Sequence, residues 1–340
     1  MNSIFILSFT RKGYDLAKRI EDILERDFEL NVRAYRVSNL KEFMQSNFGK
    51  GSAFIFVGAA GIAVRAISPF IQAKTKDPAV IVIDEMGQYV IPILSGHIGG
   101  ANRLANKIAE LTGAIPVITT ATDINGVFSI DVFASERGYS IVNPSEIKYV
   151  SSSLLEGKEV GLFSDFEIDG CLPNNVVLKK SGGVGICISD KYQNIFDKTL
   201  HLKPKQFHIG VGTRKNIPFE VFESLILETL NRESISIEGV RTVSSIDLKK
   251  SEQAIIKFTS SYGIEFITYS AGELSKFDDR FAQSKFVKDT TGVGNVCETS
   301  AYISSRKGEI ILGKTAQYGV TMAIAKESWR VSFENIYDRT

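Results

Sequence analysis

The chain has 340 residues, 44% of them hydrophobic and 23% charged, enough apolar material for the cores of two or three domains. Forty basic against thirty-nine acidic residues leave a formal charge of +1, so nothing pulls the whole chain toward nucleic acid or a membrane surface, and any basic site must be local. No apolar run approaches the length of a membrane span, the apolar start MNSIFILSF lacks a basic leader region, and Cys171, Cys187 and Cys297 are too few and too scattered for a disulfide framework or a zinc cluster; a cytoplasmic location is expected.

In chain order, IFILSF reads as a strand, and RKGYDLAKRIEDILE places Leu16, Ile20, Ile23 and Leu24 at helix spacing. VRAYRV reads as a strand, LKEFMQSNF as a short helix, and AFIFVG as a strand apolar on both faces, the pattern of a buried parallel sheet. GAAGIAVRAISPFI is helical as far as Pro69. AVIVID and QYVIPIL are two strands around the turn Glu85-Met86-Gly87, followed by the helix of SGHIGGANRLANKIAE and the strand AIPVITT. This alternation predicts an α/β domain over 1–122, with an open, mostly parallel sheet flanked by helices.

Residues 123–205 have weak helical periodicity and frequent turn residues, and EVGLFSD, NVVLKK and GVGICIS read as strands. A smaller β-rich middle domain is expected there, with LKPKQ (202–206) as a linker. A C-terminal α/β domain is expected over 206–330, opening with the strand FHIGVG and the helix PFEVFESLILETLNR, which has Pro218 near its start. The segment SWRVSFENIYDRT has no readable period.

Four glycine-bearing turns follow predicted strands: GAAGIAVR (58–65), SGHIGGANR (95–103), GVGTRK (210–215) and TTGVGNVCE (290–298). Ligands of open α/β sheets settle at the carboxyl ends of strands, where glycine admits close backbone approach and a helix start offers unpaired N–H groups. Three of the turns carry basic groups, Arg65, Arg103 and the pair Arg214-Lys215. Each turn alone could be only a tight corner; together they point to an anionic ligand. GVGTRK is a poor dinucleotide fingerprint, because Lys215 replaces the third glycine. GEIILGKT (308–315) spells a phosphate-loop motif, but Ile310, Ile311 and Leu312 favour a strand, and the required strand–loop–helix context is missing.

His97 sits beside a predicted helix start, where the dipole is expected to lower its pKa and leave a neutral imidazole able to take a proton from water. The alternative is an imidazole bonded only to turn backbone. In TTATD (119–123), Asp123 could orient a base or a water, or simply close a turn; Glu298 is equally ambiguous. His201 and His208 read as structural.

The stretch 74–123 resembles the signature region of the CbiG family of cobalamin biosynthesis, the cobalt-precorrin-5A hydrolases, and GAAGIAVRAISPFI, GVGTRK, TTGVGNVCETSAYI and YGVTMAIA fit the same family. Thr213 stands where that family has a cysteine, which excludes a cysteine nucleophile there, and Thr299 stands where proline is frequent. The resemblance implies a hydrolase of the anaerobic route to vitamin B12. Its substrate, cobalt-precorrin-5A, carries a ring-A lactone whose opening releases acetaldehyde and gives cobalt-precorrin-5B. Cobalt arrives inside this corrinoid substrate, so no cofactor or protein-bound metal is expected, and neither nucleic acid nor membrane is an expected partner. His97, then Asp123, then Glu298 are the candidate catalytic groups, with amides near Gly99 and Gly100 facing the oxyanion. Gly61, Arg65, Ser95, Gly99, Gly100, Asn102, Arg103, Thr119, Thr120, Gly212, Arg214, Lys215 and Gly292 are the candidate substrate contacts, the basic ones gripping peripheral carboxylates. A tetrapyrrole carrier without chemistry is the alternative, a nucleotide-dependent enzyme a more distant one, and a homodimer is a reasonable expectation.

Overall fold

The computed structural model describes residues 3–27, 31–49, 52–73, 76–97 and 99–334. They form two compact units, one ending at Val132 and one beginning at Phe133.

The first unit contains β1 (Ser3–Ser8), α1 (Arg11–Asp27), β2 (Asn31–Arg36), α2 (Leu40–Asn47), β3 (Ser52–Val57), α3 (Ala60–Ile67), β4 (Ala79–Ile83), β5 (Tyr89–Leu94), α4 (Ala101–Thr112), β6 (Ile115–Pro116) and α5 (Ala121–Ile124); α6 (Ile130–Glu136) begins in it. The six strands lie in the order β2-β1-β3-β4-β5-β6. Residues 53–57 and 79–83 are buried throughout, because both sheet faces are covered. Ile4, Ile6, Ile55 and Ile81 meet Leu16, Ile20 and Leu24 of α1 and Leu104 and Ile108 of α4. On the opposite face Leu7, Phe54, Phe56, Val80 and Val82 meet Met44 of α2 and Ala63 and Ile67 of α3. The Thr10 hydroxyl accepts the Gly13 N–H at 2.9 Å and caps the start of α1.

The strands β1 to β4 are parallel, but β5 runs against β4, pairing Leu94 with Val80 and Val90 with Ile83. The cause is a tight turn. The Asp84 carboxylate accepts N–H bonds from Met86, Gln88 and Tyr89 at 3.0, 2.8 and 2.7 Å, and Gly87 takes φ +70°. So short a connection can only reverse the chain, since a parallel crossover needs a dozen residues or more. Ser95 therefore emerges at the edge where β4 begins, whereas the Gly58 turn lies where β3 and β4 end. The short β6 is parallel to β5 and delivers Thr119 to Asp123 to the Ser95 edge.

The second unit holds two five-stranded sheets. The first is built from β7 (Tyr139–Ile141), β8 (Val160–Ser164), β10 (Val176–Leu178), β11 (Val184–Ile188) and β12 (Lys198–Pro204), in the order β10-β8-β11-β12-β7, with α7 (Ile147–Leu155) packed against it. The linker expected at LKPKQ is corrected here. Leu202, Lys203 and Pro204 belong to β12, which pairs with β11 and β7, and Gln206 is fully buried.

The second sheet has the order β15-β14-β13-β17-β16, from β13 (Phe207–Thr213), β14 (Val240–Ile246), β15 (Glu265–Tyr269), β16 (Glu309–Gln317) and β17 (Val320–Lys326). α8 (Phe219–Arg232) and α9 (Gln253–Tyr262) build its main core through Phe222, Ile226, Ile255 and Phe258. α10 (Ala271–Ser275), α11 (Lys285–Thr291) and α12 (Cys297–Ser304) follow β15. The turn at 290–298 thus follows a helix, α11, rather than the strand expected. GEIILGKT lies in β16, hairpinned to β17, so its residues form a strand and not a phosphate loop. Two short strands, β9 (Ile168–Asp169) and β18 (Val331–Ser332), pair in parallel.

Candidate active site

The reversal of β5 builds a corner from SGHIGGAN. Ser95 takes φ +54° and Gly100 φ +82°, a backbone path that needs small residues. A Cβ at Gly99 would lie 2.3 Å from the Ser95 Cβ, and one at Gly96 would lie 2.6 Å from Asn102 Oδ1. Carbonyls of the corner accept the first amides of α4: Ala101 N–H donates to Ser95 O and Asn102 N–H to Gly96 O, at 3.1 and 3.0 Å. Gly100 N–H donates to His97 O at 2.9 Å. The Gly100 amide is thus already engaged, unlike the free oxyanion donor expected from the sequence. The Ser95 hydroxyl is buried without a hydrogen-bond partner among the described residues.

His97 projects from this corner between two carboxylates. Its Nε2 is 2.8 Å from Asp123 Oδ2 and 3.2 Å from the Thr122 hydroxyl, and its Nδ1 is 3.2 Å from Asp131 Oδ2. Asn102, itself buried, donates through Nδ2 to Asp123 Oδ2 at 2.8 Å and to the Thr120 hydroxyl at 3.0 Å. Asp123 side-chain exposure is 38%, against 14% for His97 and 16% for Asp131. Asp123 therefore faces solvent while Asp131 backs the ring.

The expected neutral histidine is corrected by this geometry. The Asp131 hydrogen bond pushes the His97 pKa up to about 9 against the opposing effect of burial, and the charges of Asp131 and Asp123 add to the rise. Burial opposes ionisation of Asp131, but the bond and charge of His97 outweigh it and hold that carboxyl below its ordinary value. At neutral pH His97 is an imidazolium, with a proton to give and none to take.

The structure brings together His97, Asp123, Asn102 and Thr120, with Ser95, Gly99 and Gly100 shaping the backbone; Thr119 is exposed beside Thr120. Arg103 is exposed on the first turn of α4, its guanidinium tip 3.8 Å from where a Cβ at Gly100 would sit. Gly61 and Arg65 are not brought to this corner. The Arg65 guanidinium lies over Gly61, 3.4 Å from where its Cβ would be, on the helix that follows the end of β3, at the strand ends opposite to the Ser95 corner.

In the second unit, Gly212, Arg214 and Lys215 lie at the end of β13. Arg214 N–H donates to Gly319 O at 2.9 Å, and Gly212 packs on Thr321, whose hydroxyl donates to Gly212 O at 3.2 Å. Glu298 accepts from the buried Asn295 side-chain amide, and its N–H donates to Asn295 Oδ1 at 3.0 Å. Gly292 caps α11 with φ +82°, near Ala271. Burial pushes the Cys187 and Cys297 thiols up to about 12 and about 11, so neither is a nucleophile at neutral pH. Among the described residues no cluster of three or more His, Cys, Asp or Glu is placed to hold a metal ion, and no helix is long and apolar enough to cross a membrane. His201 stacks on Tyr192 at 4.0 Å, and His208 is held by Thr242 at 2.9 Å and Glu327 at 3.3 Å.

Sequence reasoning missed Asp131 and Thr122. Asp131 lies 34 positions beyond His97, and its only local signal is an acidic residue opening the apolar-patterned IDVFASE.

Three family models match the chain: cobalamin synthesis G N-terminal over 42–123, cobalamin biosynthesis central region over 128–204, and cobalamin synthesis G C-terminus over 207–325. A cobalt-precorrin-5A hydrolase of Salmonella typhimurium is 34% identical over 347 residues, covering 95% of this chain and 97% of that protein. A protein of the same description from Priestia megaterium is 27% identical and covers 94% of each. A solved structure of a cobalamin biosynthesis protein G homolog from Sulfolobus solfataricus is 26% identical, covers 95% of this chain and 97% of that one, and superposes with a TM-score of 0.44. With all three family segments present in order, and a relative matched along nearly its whole length, the chain belongs to the cobalamin synthesis G family.

Proposed function

We propose that this chain hydrolyses the ring-A lactone of cobalt-precorrin-5A and releases acetaldehyde, giving cobalt-precorrin-5B. Two relatives described as cobalt-precorrin-5A hydrolases support the substrate. The chemistry rests on one contact, the 2.8 Å bond between His97 Nε2 and Asp123 Oδ2.

Asp123 is the exposed member of the pair and takes a proton from a water molecule as its oxygen attacks the lactone carbonyl. The tetrahedral adduct collapses, the ring C–O bond breaks, and the leaving oxygen takes the proton on His97 Nε2. Asp123 then returns its proton to His97 across their shared bond, restoring both groups. The freed hydroxyl next gives its proton to the restored Asp123 carboxylate, its carbon–carbon bond to the macrocycle breaks, and acetaldehyde departs with the bonding electrons left on the ring system, which takes up that proton. Asn102, itself bonded to the Thr120 hydroxyl, holds Asp123 in line, and Thr122 fixes the Nε2 side of the imidazole. Arg103, exposed beside the corner, is suited to a bidentate grip on a peripheral carboxylate.

Anaerobic incubation with cobalt-precorrin-5A and trapping of acetaldehyde tests the reading. His97→Ala and Asp123→Asn should each lower turnover by about 10²–10⁴-fold, the usual worth of a proton-transfer group, while the macrocycle still binds by visible absorbance. Full turnover in both variants would remove this corner from the chemistry. Tight binding by the unaltered protein without acetaldehyde would make it a carrier.

A further inference from the structure

The proposed cycle uses Asp123 and His97 and leaves Asp131 unexplained. Asp131 is mostly buried, and it is the partner of His97 Nδ1. Its other oxygen, Oδ1, accepts the Val132 N–H at 3.0 Å, so α6 fixes the carboxylate. The ring is thus held at both nitrogens by groups from different elements: Asp131 from α6, and Asp123 with Thr122 from α5. Among the described residues, α4 contributes the neutral Asn102, which bonds Asp123, and Arg103, exposed beside Gly100. The charged groups bonded to the imidazole are therefore the two carboxylates, one on each nitrogen.

We infer that Asp131 is the positioning residue of this site, locking the imidazole so that the Nε2 proton always points toward Asp123 and the reacting oxygen, and keeping that proton loaded between turnovers. This rests on the hydrolase reading above. The two carboxylates are not interchangeable in it. Asp123 must gain and lose a proton in each cycle, so it needs solvent and substrate. Asp131 must never do so, and its greater burial and its bonds to a backbone amide and the imidazole suit a fixed negative charge. An imidazole bonded only at Nε2 could rotate about its Cβ–Cγ bond and would hold its proton less tightly, leaving less acid for the departing oxygen. With Asp131 in place the acid stays charged across the neutral range, in keeping with the raised His97 pKa.

The experiment separates this role from a structural one. Asp131→Asn keeps the shape and removes the charge. The His97 ring should be titrated by NMR in the free protein, and turnover followed by acetaldehyde release from pH 6 to 10. In the variant the His97 midpoint should fall by a pH unit or more, and the alkaline limb of kcat should move down with it. Asp131→Glu, which restores charge on a longer arm, should recover the midpoint but only part of kcat. If Asp131→Asn does not fold, the glutamate variant alone decides: an elevated midpoint with reduced kcat supports the assignment, and unchanged kcat overturns it. An unmoved His97 midpoint in Asp131→Asn overturns the assignment whatever the reaction is. A moved midpoint with an unmoved kcat limb overturns the positioning role in turnover. Should His97→Ala also keep full activity, the hydrolase reading of the corner fails separately.

Discussion

His97 shows how two local rules can point in opposite directions. A helix start favours a neutral imidazole by its dipole, but two carboxylates in direct contact favour the cation, and contact wins because dipole effects are worth only about 0.3–1 kcal/mol at such positions. The folded-state pKa of about 9 exceeds the ordinary 6.5, so the native state binds a proton that the unfolded chain has lost between these values. The sign follows. The stabilisation from His97 is complete below about pH 6.5 and disappears as the pH rises through about 9. Denaturant unfolding of the wild type and of His97→Gln, compared at pH 6 and pH 10, should show a stability difference at the lower pH that shrinks at the higher one. A difference that is constant with pH would mean the proton is not held by folding.

The elements legible in the sequence were those whose pattern has a single structural meaning. The spacing in α1, the doubly apolar runs of β3 and β4, and the Ile-Ile-Leu stretch that makes 308–315 a strand all carried their own answer. The direction of β5 did not, because YVIPIL looks the same in a parallel and an antiparallel pairing. The decisive feature was the short Asp84 turn, and reading it as a reversal would have moved the His97 corner to its true edge, away from Arg65. In the same way β12 was hidden by its polar alternation and its Pro204, and the charge of His97 by the sequence distance to Asp131. The strand character of 308–315 was recognisable, and the hairpin it forms with β17 carries a consequence for Arg214. Its two-residue loop, Tyr318-Gly319, has both φ values positive, at +51° and +82°, the requirement of a type I′ turn. The Gly319 carbonyl fixes the Arg214 amide, and a Cβ at Gly319 would come 3.0 Å from Arg214 Cδ. Gly319→Ala should therefore cost about 1–2 kcal/mol, the penalty for a side chain in left-handed backbone. Denaturant unfolding of the variant measures that cost, and unchanged stability would mean that the turn tolerates a side chain at this position.

At the scale of the molecule, the second unit joins two sheets that the sequence suggested as separate domains, and the join has identifiable parts. Between β12 and β13 only two residues intervene. One, Gln206, is fully buried, its carbonyl accepting the Glu327 N–H at 2.8 Å and its side chain donating to Asp190. Beyond β17 the chain runs back along the middle region instead of trailing away. Trp329 Nε1–H donates to the Tyr139 hydroxyl at 3.2 Å, β18 pairs with β9, and Phe333 stacks on Phe133 with ring centroids 4.9 Å apart and planes 10° from parallel. Phe333 is only 5% exposed, so Phe333→Ala removes a buried aromatic and leaves a cavity, a loss of about 3–5 kcal/mol. A segment that merely decorated the middle sheet would pass that loss to the middle sheet alone. A segment acting as the clasp of one cooperative body passes it to both, because opening the tail also frees Glu327 and the Gln206 junction. Hydrogen exchange distinguishes these outcomes: in Phe333→Ala, the amides of β8, β11 and β12 and those of β13 and β14 should lose protection together and by the same free energy. Loss confined to the middle sheet, with β13 and β14 unchanged, would show that the two sheets unfold independently and that the tail stabilises only one of them.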